Sequence, residues 1–115
     1  MTHPQITAHE CTIAINGSLS TSVDLEGARL VGVLMPAVWT PATISFEGSD
    51  DDTSFFEVGD GTAEISLVAD AGWIISIPRG TLDGVGRYVK IRSGTSIAPV
   101  AQLVAIRTIT LLVRP

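Results

Sequence analysis

Short runs rich in Val, Ile, Thr and aromatic residues recur along the chain between clusters of Gly, Pro, Asp and Ser, and helical periodicity is nearly absent. That pattern predicts strands at the spacing of a sandwich or barrel. The first run spans residues 6–15 and closes at Asn16-Gly17, a dipeptide that supplies the positive φ angles of a tight hairpin turn. In residues 18–25, Leu19, Thr21, Val23 and Leu25 alternate with Ser20, Ser22 and Asp24, so one face is expected in the core and the other in water. A continuous apolar strand over residues 29–35 stops at Pro36. The segment from Pro36 to Pro41 carries Trp39 between two prolines that cannot donate to a central ladder, which predicts a loop or sheet edge.

Alternation resumes over residues 42–48, where Ala42, Ile44 and Phe46 oppose Thr43, Ser45 and Glu47, and the chain then enters the acidic loop Asp50-Asp51-Asp52. Strands are expected at 54–58, 63–68 and 73–77, with turns at Gly59-Asp60-Gly61 and Ala71-Gly72. Residues 78–86 hold a proline and three glycines and read as a loop, with one helical turn around Thr81-Leu82-Asp83. A strand over 87–92, a second loop over 93–99 and a long closing strand over 100–113 complete eight or nine strands. The expected fold is an all-β, antiparallel β-sandwich of jelly-roll type with about eight strands. It forms one domain over residues 1–115, with residues 1–5 as an extended N-terminal arm.

Composition sharpens this picture. Apolar residues make up 45% of the chain and charged residues 17%, against roughly 25% charged in ordinary soluble domains. A surface so poor in charge is expected to be covered in part by partners. No apolar stretch reaches the roughly 20 residues of a membrane helix, and the N-terminus has neither a basic nor an apolar leader region, so no membrane partner and a cytoplasmic site of synthesis are expected. Twelve acidic residues against seven basic ones, a net charge of −5, argue against a nucleic-acid partner. Six of the seven basic residues fall in the C-terminal half, interleaved with strand positions, and are expected on a paired or solvated sheet face. The single cysteine, Cys11, reads as a buried, inert thiol.

Candidate chemistry is sparse. Asp50, Asp51 and Asp52, with Glu47, Glu57 and Asp60 nearby, are the only cluster of calcium-ligand type, but their spacing matches no EF-hand and a solvated turn between two strands is the better reading. A glycosidase pair drawn from the same carboxylates would need a cleft and one carboxyl with a raised pKa. His3 and His9 are the only histidines, both within the first ten residues, and the glycines from Gly80 to Gly86 lack the lysine and long helix of a phosphate loop. Trp39, in an expected exposed loop, suits an interface anchor or a sugar-stacking platform, whereas Trp73 opens a strand and is expected in the core. No cofactor, no metal and no enzyme activity are expected.

The segments from Ala42 to Phe55 and from Arg87 to Thr95 resemble small virion structural proteins of tailed bacteriophages and prophages. The likeness extends to Leu30–Pro36 before Trp39, the Ala71-Gly72 turn, Pro99-Val100-Ala101-Gln102 and residues 107–115. A shorter likeness, carried by the acidic segment after a strand and the later Tyr88-Val89-Lys90-Ile91-Arg92 run, is to discoidin or galactose-binding jelly rolls. The phage resemblance implies a capsid decoration or cement protein, made in the bacterial cytoplasm and located in the virion. It would bind the major capsid protein or other virion proteins, as a homotrimer. A neck or tail component and a carbohydrate-binding module are the alternatives. Pro36, Trp39, Pro41, Ile97 and Pro99 are the expected partner contacts, because loops reach partners from a rigid scaffold.

Overall fold

The computed structural model describes residues 6–115; the N-terminal arm expected at residues 1–5, with His3, lies outside them. Nine strands follow in chain order: β1 (Thr7–Ile13), β2 (Val23–Asp24), β3 (Arg29–Leu34), β4 (Ile44–Ser49), β5 (Phe56–Glu57), β6 (Ser66–Leu67), β7 (Ile74–Ser76), β8 (Tyr88–Ser93) and β9 (Arg107–Arg114). They build two sheets, β1-β9-β3-β7 and β2-β8-β4-β5, with β6 pairing beside β5 on the same edge of β4. Every pairing is antiparallel.

The pairing is nested. β1 lies against β9, β2 against β8, β3 against β7, and β4 against β5 and β6. A long two-stranded ribbon of this kind, rolled until β9 also meets β3 and β8 also meets β4, is a jelly roll. The sequence expectation of an antiparallel jelly-roll sandwich therefore holds, with β5 and β6 sharing one of eight lanes.

Period-two alternation supplies the core. Cys11, Ile13, Leu30, Val33, Ile75, Ile109, Leu111 and Val113 face inward from the first sheet, and Val23, Ile44, Phe46, Val89 and Ile91 from the second, all 7% exposed or less. Loops close both ends, Met35 and Trp39 entering from one and Leu82 and Val85 from the other. Gly48 makes the second closure sterically feasible, since a Cβ there would lie 2.0 Å from the Val85 carbonyl oxygen.

Three expectations are corrected. Residues 18–25 form only the short β2, because the chain changes sheets within them. The Ser20 amide donates to Ile91 O on β8 and the Thr21 amide to Thr12 O on β1, so Ser20 is buried while Thr21 is exposed. The long strand expected over 100–113 begins only at Arg107. Before it, the Gln102 amide donates to Gly17 O and Val104 takes a φ of 81°, a backbone state incompatible with a strand. Residues 78–86 hold turns without a helical turn, among them one in which the Thr81 amide donates to Pro78 O.

Candidate functional site

Antiparallel strands deliver alternate loops to opposite ends of the sandwich, and here the two sets of loops differ in chemistry. One end collects residues 14–22, 35–43, 68–73 and 94–106. Gln102 ties three of these loops together. Its side-chain amide donates to Thr40 O (2.9 Å) and Ser93 Oγ (2.8 Å), while its oxygen accepts from the Thr40 amide (2.8 Å) and Arg107 Nε (3.1 Å). The Gln102 carbonyl also accepts from the Asn16 amide, and the Gly72 amide donates to Pro36 O, which joins the fourth loop. Gln102 is fully buried with both amide atoms partnered, as a buried primary amide requires.

What this framework presents outward is apolar. Ile15, Val38, Val68, Trp73, Ile97, Leu103, Val104 and Ile106 all stand exposed from its loops, Ile97 at 93% and Val104 at 86%. Asp70 is the only charged residue in the four loops. Elsewhere among the described residues the exposed large hydrophobics are Ile6, Phe56 and Ile74, and Ile74 adjoins Trp73.

The opposite end is formed by residues 25–28, 50–55 and 77–87 and carries Glu26, Asp50, Asp51, Asp52, Arg79, Asp83 and Arg87. The acidic loop does not gather its carboxylates around a common point. Asp51 Oδ1 accepts from the Thr53 and Ser54 amides (both 2.9 Å) and from Ser49 Oγ (3.0 Å). These bonds hold its pKa below the usual carboxylate value and make the segment a self-capped turn. Among the described residues no three His, Cys, Asp or Glu side chains are arranged to hold a metal ion.

Between the ends, the outer face of the second sheet holds an ion cluster. The Arg92 guanidinium is 7% exposed and contacts Glu47, Glu57 and Glu64, with both Glu57 oxygens at 2.6 Å and Glu64 at 3.1 Å. Glu64 in turn accepts from Ser96 N and Oγ. Arg92 thereby clips the β5–β6 segment to β4 and β8. Its hydrogen bonds to Glu57 are the main reason that carboxyl's pKa is lowered. Every carboxyl that the structure displaces, at Asp24, Asp51, Glu57 and Asp60, is displaced downward, the opposite of what a glycosidase acid needs.

Of the expected contact residues, Ile97, Pro41 and Pro99 are exposed and Pro36 is half-buried, all at the apolar end. The exposed position expected for Trp39 is corrected. Its ring is 6% exposed and its Nε1 donates to Ala42 O at 3.2 Å, so it packs in the core and offers no face to a sugar. Trp73, expected in the core, is 51% exposed. Cys11 is buried, and burial pushes its thiol up to about 11, which leaves it an inert packing group. Sequence reasoning missed the Gln102 and Arg92 clusters; the only signal was a polar residue within a β-rich run. Compared with known proteins, the chain matches no family model, no curated protein and no solved structure.

Proposed function

We propose that this protein is a non-enzymatic structural component of a tailed-phage virion, a capsid decoration or cement protein that docks through its apolar loop end. The observation that carries the docking surface is the concentration of exposed Ile, Val, Leu and Trp side chains in four loops whose only charge is Asp70. Large apolar side chains concentrated in the exposed loops of one end are the kind of surface that marks interaction sites. A surface without charges loses little hydration when covered, whereas each unpaired ion buried at an interface is costly.

The Gln102 framework supports the same reading, since loops held in one arrangement lose less conformational freedom on binding. The phage assignment itself rests on the resemblance of residues 42–55 and 87–95, and the homotrimer on the same likeness. Jelly rolls serve in capsids and in lectins alike, so the fold by itself does not choose between these roles.

Purified protein mixed with phage capsids and pelleted tests this reading. Co-sedimentation at a fixed ratio, lost when Ile97 and Val104 are both replaced by Asp, is the expected result. Folded protein that stays in the supernatant with every capsid and virion protein offered at micromolar concentration overturns it.

A further inference from the structure

Four of the seven basic side chains are engaged within the fold. Arg87 makes a two-pronged contact with Asp24, Arg92 contacts three glutamates, Arg107 donates to Gln102 and the Leu103 carbonyl, and the Lys90 ammonium lies 4.2 Å from the Phe55 ring centroid. The remaining three, Arg29, Arg79 and Arg114, make no salt bridge to a carboxylate among the described residues, although acidic residues outnumber basic ones in the chain. All three line one depression of about 410 Å³ at the charged end of the first sheet.

The sheet register brings them together. Arg29 and Arg114 are directly opposed across β3 and β9, a like-charge pairing that weakens a sheet. The Ile77 amide donates to Val31 O, which sets the turn carrying Arg79 beside the same strand. Arg114 Nε is buried and has no hydrogen-bond partner among the described residues, which costs free energy within the fold, and Arg114 also lines the depression. Ser76 adds a hydroxyl to the rim, and Asp83 is the one carboxylate there.

We infer that this depression is a binding site for a dianionic oxyanion of the phosphate class. Three guanidiniums and one carboxylate leave a formal charge that a dianion balances and a single carboxylate does not. Guanidinium forks and a hydroxyl are the donors that phosphate oxygens accept from best. The inference is independent of the docking role, because the site lies at the other end of the sandwich.

The test uses inorganic phosphate as the probe, with acetate and chloride at matched ionic strength, read by the arginine Nε–H resonances and by thermal unfolding. The expected result is a saturable shift of the Arg114 signal and a phosphate-dependent rise in Tm. Arg29→Gln is expected to raise the Tm of the protein without phosphate, by removing the like-charge pair, yet to weaken phosphate binding at least tenfold. Arg79→Gln, in an exposed turn, gives the same loss without touching a strand, and Arg87→Gln leaves binding intact. Non-saturating shifts that are equal in all variants overturn the inference, and so does acetate binding as well as phosphate. A particle mass that falls on Asp50→Asn with Asp52→Asn, with no phosphate response, also overturns it and assigns the depression to the acidic loop of a second copy.

Discussion

The two ends of this jelly roll hang from the same strands, yet one is nearly free of charge and the other carries most of the loop charges. Their loops are also stabilised differently. At the charged end turns are capped by their own carboxylates and one ion pair crosses between loops: Asp51 caps its own loop, and Asp24 accepts from the Glu26 amide and pairs with the distant Arg87. At the apolar end the loops are held to one another through Gln102, a residue distant in sequence from Thr40 and Gly17. The difference teaches that charged turns can each be organised by their own Asp, Ser and Thr side chains. At the apolar end Thr95 and Asp70 also accept from amides of their own turns, and the shared buried side chain of Gln102 adds the link between loops.

The largest expected effect comes from breaking the closure of the charged end. Gly48→Ala would drive a Cβ into the Val85 carbonyl, expel the Leu82 and Val85 plug and cost about 3 kcal/mol or more. Denaturant unfolding is expected to show a lowered midpoint or no cooperative transition. At the apolar end, Gln102→Ala leaves the buried Ser93 hydroxyl, the Thr40 backbone groups and Arg107 Nε short of partners. The expected loss is about 2–3 kcal/mol, with Gln102→Glu no rescue because the carboxylate cannot donate to Thr40 O.

A smaller effect separates the ends by function. Ile97→Asp with Val104→Asp, both on exposed side chains, should leave stability nearly unchanged and weaken the proposed docking to capsids tenfold or more, about 1.4 kcal/mol. Asp50→Asn with Asp52→Asn should leave docking unaltered, and an equal loss in both pairs would erase the contrast between the ends. The smallest effect concerns acid stability. Glu57 has its pKa lowered from 4.5 by Arg92, so its contribution is present above that value and is lost as pH falls through the lower folded one. Glu57→Gln is therefore expected to lower stability near pH 7 and to flatten its decline below pH 4.5, so that variant and parent converge in acid, in urea titrations across that range.

Much of the fold was legible in the residue pattern. Alternation over Ala42–Phe46 and Tyr88–Arg92 identified strands whose inward residues are the observed core, and Pro36 marked the end of a strand that stops at Leu34. The candidate site was legible only in its loops. Ile97, Pro41 and Pro99 lie where loop residues were expected, but the two tryptophans exchange roles. Trp39 sits in a loop that turns inward to seal the core, and Trp73 precedes a short edge strand that leaves its ring outside. Periodicity reports which face of a strand is buried. It says nothing about whether a loop folds over the end of a sandwich or away from it.

The sequence by itself determined the all-β class, the positions of most strands, the low surface charge and the inert character of Cys11, because alternation, turn residues and composition act over a few neighbouring residues. Only the tertiary structure decided that the charge-free loops share one end, that Gln102 and Arg92 are buried at the centre of polar networks, and that Arg29, Arg79 and Arg114 meet around one depression. Those outcomes depend on which strands pair and on the direction each runs, and that choice is made by contacts between residues far apart in the chain.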